Sequence, residues 1–359
     1  MRYQLSPNNT LLLRGPSSAT LVSGRATILG GPLPPYQKRI VSKLRQLPFE
    51  TETNAELEVV LGKSGEIFQL EGSTIPGSWG LAASALEKMQ AGRVIILGPA
   101  DVGKSTLCVY LVNKLKQGSR KLRVVDADIG QTDLGPATTI ARASPVQFIA
   151  SLTELEPDAL LFIGHTSPGY VERKLIDGIK RLSANSEESL TIINTDGWIT
   201  EPGAIRFKIR LITELNPTLL LGLGFGDELQ PILGSVDAPT LMAEPAKAVL
   251  TRSRAERRNI RENGYRRFLD RGVRSVVPLE KVHFSYPKHF PPLNATNRLA
   301  LHNLIVGILN DAGYLMQIGI LLDVDRDSVH LYSRQADDIH RIELGCIKLT
   351  TSGREIGFL

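Results

Sequence analysis

An α/β fold, with a parallel sheet flanked by helices at its centre and small β-rich domains at both ends, is what this sequence predicts. Three observations carry that expectation. The first is the string Gly98-Pro-Ala-Asp-Val-Gly-Lys-Ser-Thr106, which follows a short apolar run, Arg93–Leu97, and precedes a stretch with helical apolar spacing, Ser105–Leu115. The second is the alternation of apolar strand-like runs with helical patterns from Arg93 onward, the signature of βαβ units. The third is that both flanks break into short, glycine-punctuated β-rich pieces.

A chain of 359 residues exceeds one small core, so two or three domains are expected. With 42 % apolar and 22 % charged residues it is neither a disordered nor a membrane-embedded composition. No apolar run approaches the ~20 residues that span a bilayer, and the stretch Met1–Pro7 has no signal-peptide core. The expectation is a cytoplasmic protein without membrane attachment, or a nuclear one in a eukaryote. Two cysteines, Cys108 and Cys346, offer neither a disulfide framework nor a metal site and read as small core residues. The net charge of +5 permits an anionic partner without requiring one.

Taken in order, residues 1–75 form the β-rich N-terminal domain, with strands expected at Thr10–Arg14, Ala19–Ser23, Ala26–Leu29, Ala55–Leu61 and Glu66–Leu70. A turn-like connector containing Trp79, read as a packing residue between domains, leads into a helix over Leu81–Met89. The central domain spans 76–275. Beyond Arg93–Leu97 its strands are expected at Lys121–Asp126, Ala159–Ile163, Leu190–Asn194 and Thr218–Gly222, with helices over Val171–Leu182 and Ala204–Leu215. An arginine-rich segment at about 250–270 closes it. Residues 276–359 form a β-rich C-terminal domain, with strands at Ser328–Tyr332 and Ile347–Thr350.

The central string has the form G-x-x-x-x-G-K-S of a phosphate-binding loop. Gly98, Pro99, Ala100, Asp101, Val102, Gly103, Lys104, Ser105 and Thr106 would curl their backbone amides around phosphate oxygens, Lys104 would reach the outer phosphates and Ser105 would hold Mg²⁺. Such a loop binds a nucleotide polyphosphate in motors, switches and kinases alike. Asp126 and Asp128 stand at the carboxyl end of the next strand, where ligands bind in open α/β sheets. One could complete the metal shell and the other could take a proton from an attacking hydroxyl. Arg254 with Arg258, and Arg257 with Arg261, are i,i+4 pairs that would repel on an isolated helix, so an anion-binding lid is the favoured reading. A partitioning ATPase would carry an extra lysine where Pro99 stands. A GTPase would carry Asn-Lys-x-Asp, and Asn113-Lys-Leu-Lys116 lacks the aspartate.

Five strings in register, Gly98–Thr106, Asp126-Ala-Asp-Ile-Gly-Gln131, Gly164-His-Thr-Ser-Pro-Gly169, Ile193-Asn-Thr-Asp-Gly-Trp198 and the Arg252–Arg267 lid, resemble the polynucleotide 5'-hydroxyl kinase family. That family includes the RNA kinase subunit of the pre-mRNA cleavage factor, the nucleolar rRNA-processing kinase and archaeal relatives. The resemblance implies a P-loop NTPase core and an ATP- and Mg²⁺-dependent transfer of the γ-phosphate to the 5'-hydroxyl of RNA or DNA. It implies Asp128 as general base and Thr166 and Trp198 as a substrate clasp, the indole stacking on a terminal base. Gln131 and Asp101 also match, with loop capping an equal alternative for each. RNA-processing proteins docking on the β-rich ends are the implied partners. Family members place an asparagine shortly after Thr-x-Pro-Gly, where this chain has Tyr170-Val171. An ATP-bound scaffold without turnover and a nucleoside kinase remain the alternatives.

Overall fold

The short, glycine-punctuated β-rich pieces of the first 71 residues fold as expected into antiparallel strands. The computed structural model describes residues 1–116, 121–285, 298–334 and 339–359. Arg2–Leu5, Ala55–Leu61, Ser17–Ser23 and Lys38–Val41 form one sheet in that order. Gly31–Pro32, Thr27–Ile28, Gln46–Glu50, Asn9–Arg14 and Glu66–Glu71 form a second. Leu11, Leu13, Leu57, Val59 and Phe49 are buried, which is the interior these short strands need for stability.

The chain forms two compact units that interleave in sequence. The first comprises Met1–Val124, Ser144–Leu155 and Asn185–Arg252; the second comprises Val125–Ala143, Glu156–Ala184 and Ser253–Leu359. The first unit adds to the N-terminal strands a parallel arrangement of Leu190–Asn194, Gly92–Leu97, Leu219–Leu223 and Thr240–Ala243. The middle of this sheet is apolar on both faces: Val94, Ile95, Ile96, Ile192, Ile193, Leu220 and Leu221 are all fully buried. Continuous burial of this kind belongs to parallel strands covered by helices. Those helices are Gly77–Glu87, Lys104–Leu115 and Pro202–Leu215. The last ends at Asn216 in the left-handed conformation, as helices with an asparagine cap do.

In the second unit Ala159–Phe162 pairs antiparallel with Thr139–Ala143, which departs from the all-parallel order expected of the central strands. Thr139–Ala143 had no sequence signal because its alanines carry little strand propensity. The β-rich C-terminal region begins earlier than its sequence pieces suggest. Its strands run in the order Val273–Pro278, Ser328–Ser333, Leu315–Val324, Leu304–Leu309, Arg341–Leu349 and His283–Ser285, with Glu355–Phe358 added beside Arg341–Leu349. Leu304–Leu309 is buried at every position. The helix Arg254–Leu269 packs Tyr265 and Leu269 into the same core as Leu304, Ile320, Leu331 and Leu344. Among the described residues no helix is long and apolar enough to cross a membrane.

Candidate active site

The first unit holds the phosphate-binding loop. Gly92–Leu97 ends at Gly98, and the helix Lys104–Leu115 starts after Gly103, whose φ of 98° lies in the left-handed region. No side chain caps that helix start, so its first amides and its positive dipole end face the loop. Lys104 is buried, and its Nζ donates to the carbonyls of Gly98 at 2.9 Å and Pro99 at 2.7 Å. The ammonium is thus held inside the loop's own curl, where a phosphate oxygen would compete for it. Asp101 Oδ2 accepts the Arg252 amide at 3.1 Å, and the Arg252 guanidinium is 3.7 Å from Oδ1.

The turn after Leu190–Asn194 lies against this loop. A Cβ placed on Gly197 would fall 2.5 Å from the Ala100 nitrogen, so only glycine allows the approach. Asn194 Nδ2 donates to Ser105 Oγ at 3.3 Å, which fixes the hydroxyl expected to face a metal. Asp196 accepts the Trp198 amide on Oδ1 at 2.9 Å and pairs on Oδ2 with Lys208 Nζ at 2.7 Å. The Lys208 side chain is 0 % exposed and that of Asp196 9 %. The Trp198 ring stands 6.1 Å from that of Phe207. Asn194 and Lys208 were given no role by sequence reasoning. Asn194 lay within the string Ile193–Trp198, while Lys208 lay on the helix expected over Ala204–Leu215. Trp79 sends its indole N–H to the Glu244 carbonyl at 2.8 Å, a packing role.

The second unit gathers the remaining residues. Asp126 is fully buried, and its Oδ2 accepts Thr132 Oγ1 at 2.9 Å and the amides of Asp133 and Leu134 at 2.7 and 3.3 Å. Its carboxylate therefore organises the loop that follows. Asp128 is less buried, and its Oδ1 accepts the amides of Gly130 and Gln131 at 3.1 and 2.9 Å. Two backbone donors on one oxygen leave the other oxygen's direction set by the turn. A Cβ on Gly130 would lie 2.9 Å from the Thr166 carbonyl oxygen, so the Asp128 turn and the Thr166 loop abut. Gln131 Nε2 donates to the Gly130 carbonyl at 2.6 Å and reaches the Arg257 carbonyl at 3.3 Å. The Asp128 turn thereby also touches the start of the arginine helix.

That helix, Arg254–Leu269, begins with a capping box in which Ser253 Oγ accepts the Glu256 amide and Glu256 accepts the Ser253 amide. The four arginines do not share one environment. Arg261 makes a two-point pair with Glu355, Nε–Oε1 at 2.6 Å and Nη2–Oε2 at 2.9 Å, and Glu355 is 4 % exposed. Arg258 donates to the Glu355 carbonyl and pairs with Glu262 at 3.0 Å, while the Glu355 amide donates to Glu262. Burial works to lower the Arg261 pKa, but the bond and the charge of Glu355 outweigh it and raise the pKa. Arg254 is exposed and Arg257 half-buried. Glu355 lay far from any sequence motif and could not be paired with the arginines by spacing.

Among the described residues no three or more His, Cys, Asp or Glu side chains are grouped as a metal cluster would require. The loop hydroxyl of Ser105 and the carboxylates of Asp126 and Asp128 are hard oxygen donors, the chemistry that Mg²⁺ accepts when it also keeps waters and substrate phosphates.

Residues 98–271 match the family model described as mRNA cleavage and polyadenylation factor CLP1 P-loop. A polyribonucleotide 5'-hydroxyl-kinase of Pyrococcus furiosus is 25 % identical, over 76 % of this chain and 92 % of the relative. A polyribonucleotide 5'-hydroxyl-kinase of Pyrococcus abyssi is 31 % identical over 53 % of this chain and 54 % of the relative, and a CLP1 homologue of Nematostella vectensis 31 % over 49 % and 44 %. The solved structure of a Clp1p–Pcf11p complex has the same fold, with a TM-score of 0.75, 12 % identity and 97 % of both chains covered. Over residues 98–271 the chain thus resembles the CLP1-type P-loop region, and the relatives it is similar to include polyribonucleotide 5'-hydroxyl-kinases.

Proposed function

We propose that the protein transfers the γ-phosphate of ATP to the 5'-hydroxyl of RNA. The observation that carries this reading is the convergence, within one unit, of the Asp128 turn, the Thr166 loop and the start of the arginine helix. A carboxylate, a hydroxyl-bearing loop and guanidinium groups are what an alcohol acceptor and a transferring phosphoryl group need beside them. The names of the archaeal relatives point to a ribose-containing acceptor.

In this reading Lys104 and the amides of Gly98–Thr106 hold the β- and γ-phosphates, and the uncapped helix start adds its dipole. Ser105, Asp126 and Asp128 offer the oxygen donors that would hold Mg²⁺, which would supply charge neutralisation on the phosphates. Asp128 accepts the proton as the 5'-oxygen bonds to phosphorus and the bond to the β-phosphate oxygen breaks. Thr166 and Trp198 position the acceptor. Arg254 meets phosphate directly, Arg257 stands where the helix touches the Asp128 turn, and Arg258 and Arg261, engaged by Glu262 and Glu355, act by holding the helix. Proteins of an RNA-processing assembly are the partners this reading expects; the similar fold of Clp1p, solved in complex with Pcf11p, is in keeping with a protein partner.

Purified protein with Mg²⁺ and labelled ATP is expected to label 5'-hydroxyl RNA oligonucleotides. Lys104→Ala and Asp128→Asn are each expected to lower kcat at least about a hundredfold. Matched DNA and mononucleoside acceptors belong in the same panel. Labelling of a nucleoside in preference to any oligonucleotide, or ATP retained with no transfer at all, would overturn the proposal.

A further inference from the structure

Tyr170 follows Thr166-Ser-Pro-Gly169, and its surroundings are not those of a loop residue left idle. The short 3-10 turn Pro168–Tyr170 follows Thr166 and is pinned by buried Pro168. The Tyr170 ring lies 4.6 Å from the His165 ring, tilted by 31° against it, within ring-contact distance. His165 is itself oriented: its Nδ1 accepts the Ser167 amide at 2.8 Å, so the neutral ring carries its proton on Nε2. Tyr170 nevertheless remains 73 % exposed. A large aromatic ring held in place on one side and open on the other is a preorganised stacking surface.

Position adds to geometry. The loop that carries this pair also carries Thr166, whose carbonyl abuts the turn of Asp128. The aromatic pair is therefore part of the same loop cluster as the group assigned to the acceptor's proton. Packing against the hydrophobic core is the ordinary use of a tyrosine, but a ring exposed to this extent contributes little to burial.

We propose that Tyr170, backed by His165, is a stacking platform for one nucleobase of the polynucleotide acceptor, distinct from the base expected on Trp198. The proposal rests on the kinase reading for its substrate class. It gives the chain a second base-binding subsite, and it makes acceptor strength depend in part on a π-face. Because every base has such a face, the subsite is tolerant of sequence and sensitive to the absence of a base.

The test uses the full chain and 5'-hydroxyl RNA oligonucleotides with 2-aminopurine at the first, second or third position, whose fluorescence falls when it stacks. Wild-type protein is expected to quench at the position that Tyr170 covers. Tyr170→Ala should abolish quenching at that one position, and Tyr170→Phe should restore it. In the transfer assay, Tyr170→Ala should raise KM for base-bearing RNA about fivefold to a hundredfold with kcat within about twofold, and should leave KM unchanged for RNA that is abasic there. Quenching and KM that are the same in wild type and Tyr170→Ala at all three positions would overturn the platform while leaving the kinase intact. Absence of transfer by the wild-type protein would instead overturn the kinase reading, and the quenching experiment would still decide the platform.

Discussion

Replacing Lys208 by methionine removes an ammonium from a site with no access to solvent and leaves most of the side-chain volume in place. The carboxylate of Asp196 then loses its partner at 2.7 Å and keeps the Trp198 amide as a donor. Deleting one member of a buried pair costs about 3–5 kcal/mol, because the remaining charge stays desolvated without compensation. Both members here are nearly inaccessible, at 0 % and 9 %, so the full range applies and surface screening does not reduce it. Urea unfolding at neutral pH, followed by far-UV circular dichroism and by tryptophan fluorescence, measures the loss. The double variant Lys208→Met/Asp196→Asn removes the stranded charge and is expected to recover at least about 1.5 kcal/mol. A loss below about 1 kcal/mol in Lys208→Met, or a double variant no more stable than the single one, would refute the reasoning. It would mean that Asp196 reaches water in the folded chain.

Glu355→Gln keeps the shape but removes the charge that Arg261 meets at two points. A stability loss of about 1–3 kcal/mol is expected, read from thermal unfolding, with faster amide exchange along Arg254–Leu269. Asn113→Ala breaks four contacts at once: its Nδ2 donates to Ile28, Leu29 and Ile149 carbonyls and its Oδ1 accepts the Ile149 amide. The buried groups left behind cost about 2–4 kcal/mol, measured by urea unfolding. Burial pushes the Cys346 thiol up to about 12, above its ordinary 9.0. Between those values the unfolded chain releases a proton that the folded chain keeps, so stability is intact below pH 9 and falls as pH rises, by up to about 1.4 kcal/mol per unit. Cys346→Ala should flatten that part of the stability profile relative to wild type, as followed by alkaline unfolding.

The phosphate-binding loop was legible because its chemistry requires fixed residue types at fixed spacing, and the structure forms it between Gly92–Leu97 and Lys104–Leu115. The β-rich flanks were legible as strands from short β-rich pieces and glycine punctuation, but not in their pairing. Leu304–Leu309 is buried throughout and has no period to read, and Thr139–Ala143 is too rich in alanine to announce a strand. Asn113 fails as part of a guanine-reading element, and the fold instead uses its amide to tie Ile28, Leu29 and Ile149 to the P-loop helix. Long-range partners such as Glu355 for Arg261 and Lys208 for Asp196 were invisible for a different reason. An ion pair is a property of two places in space, and separations of 94 and 12 residues leave no local signature.

The pairing of Glu355 with the arginine helix also bears on the order in which the chain matures. Arg254, Arg257, Arg258 and Arg261 leave the ribosome with their own like charges one helical turn apart, and the carboxylate that neutralises Arg261 follows 94 residues later. Until Glu355–Phe358 pairs with Arg341–Leu349, the helix has the capping box at Ser253 and the Arg258–Glu262 pair as local supports. Ribosome-bound chains halted before Glu355 should therefore expose this basic segment as a weakly structured, polyanion-binding stretch. Chains that extend past Glu355 should hold it as a fixed helix with only part of its charge on offer.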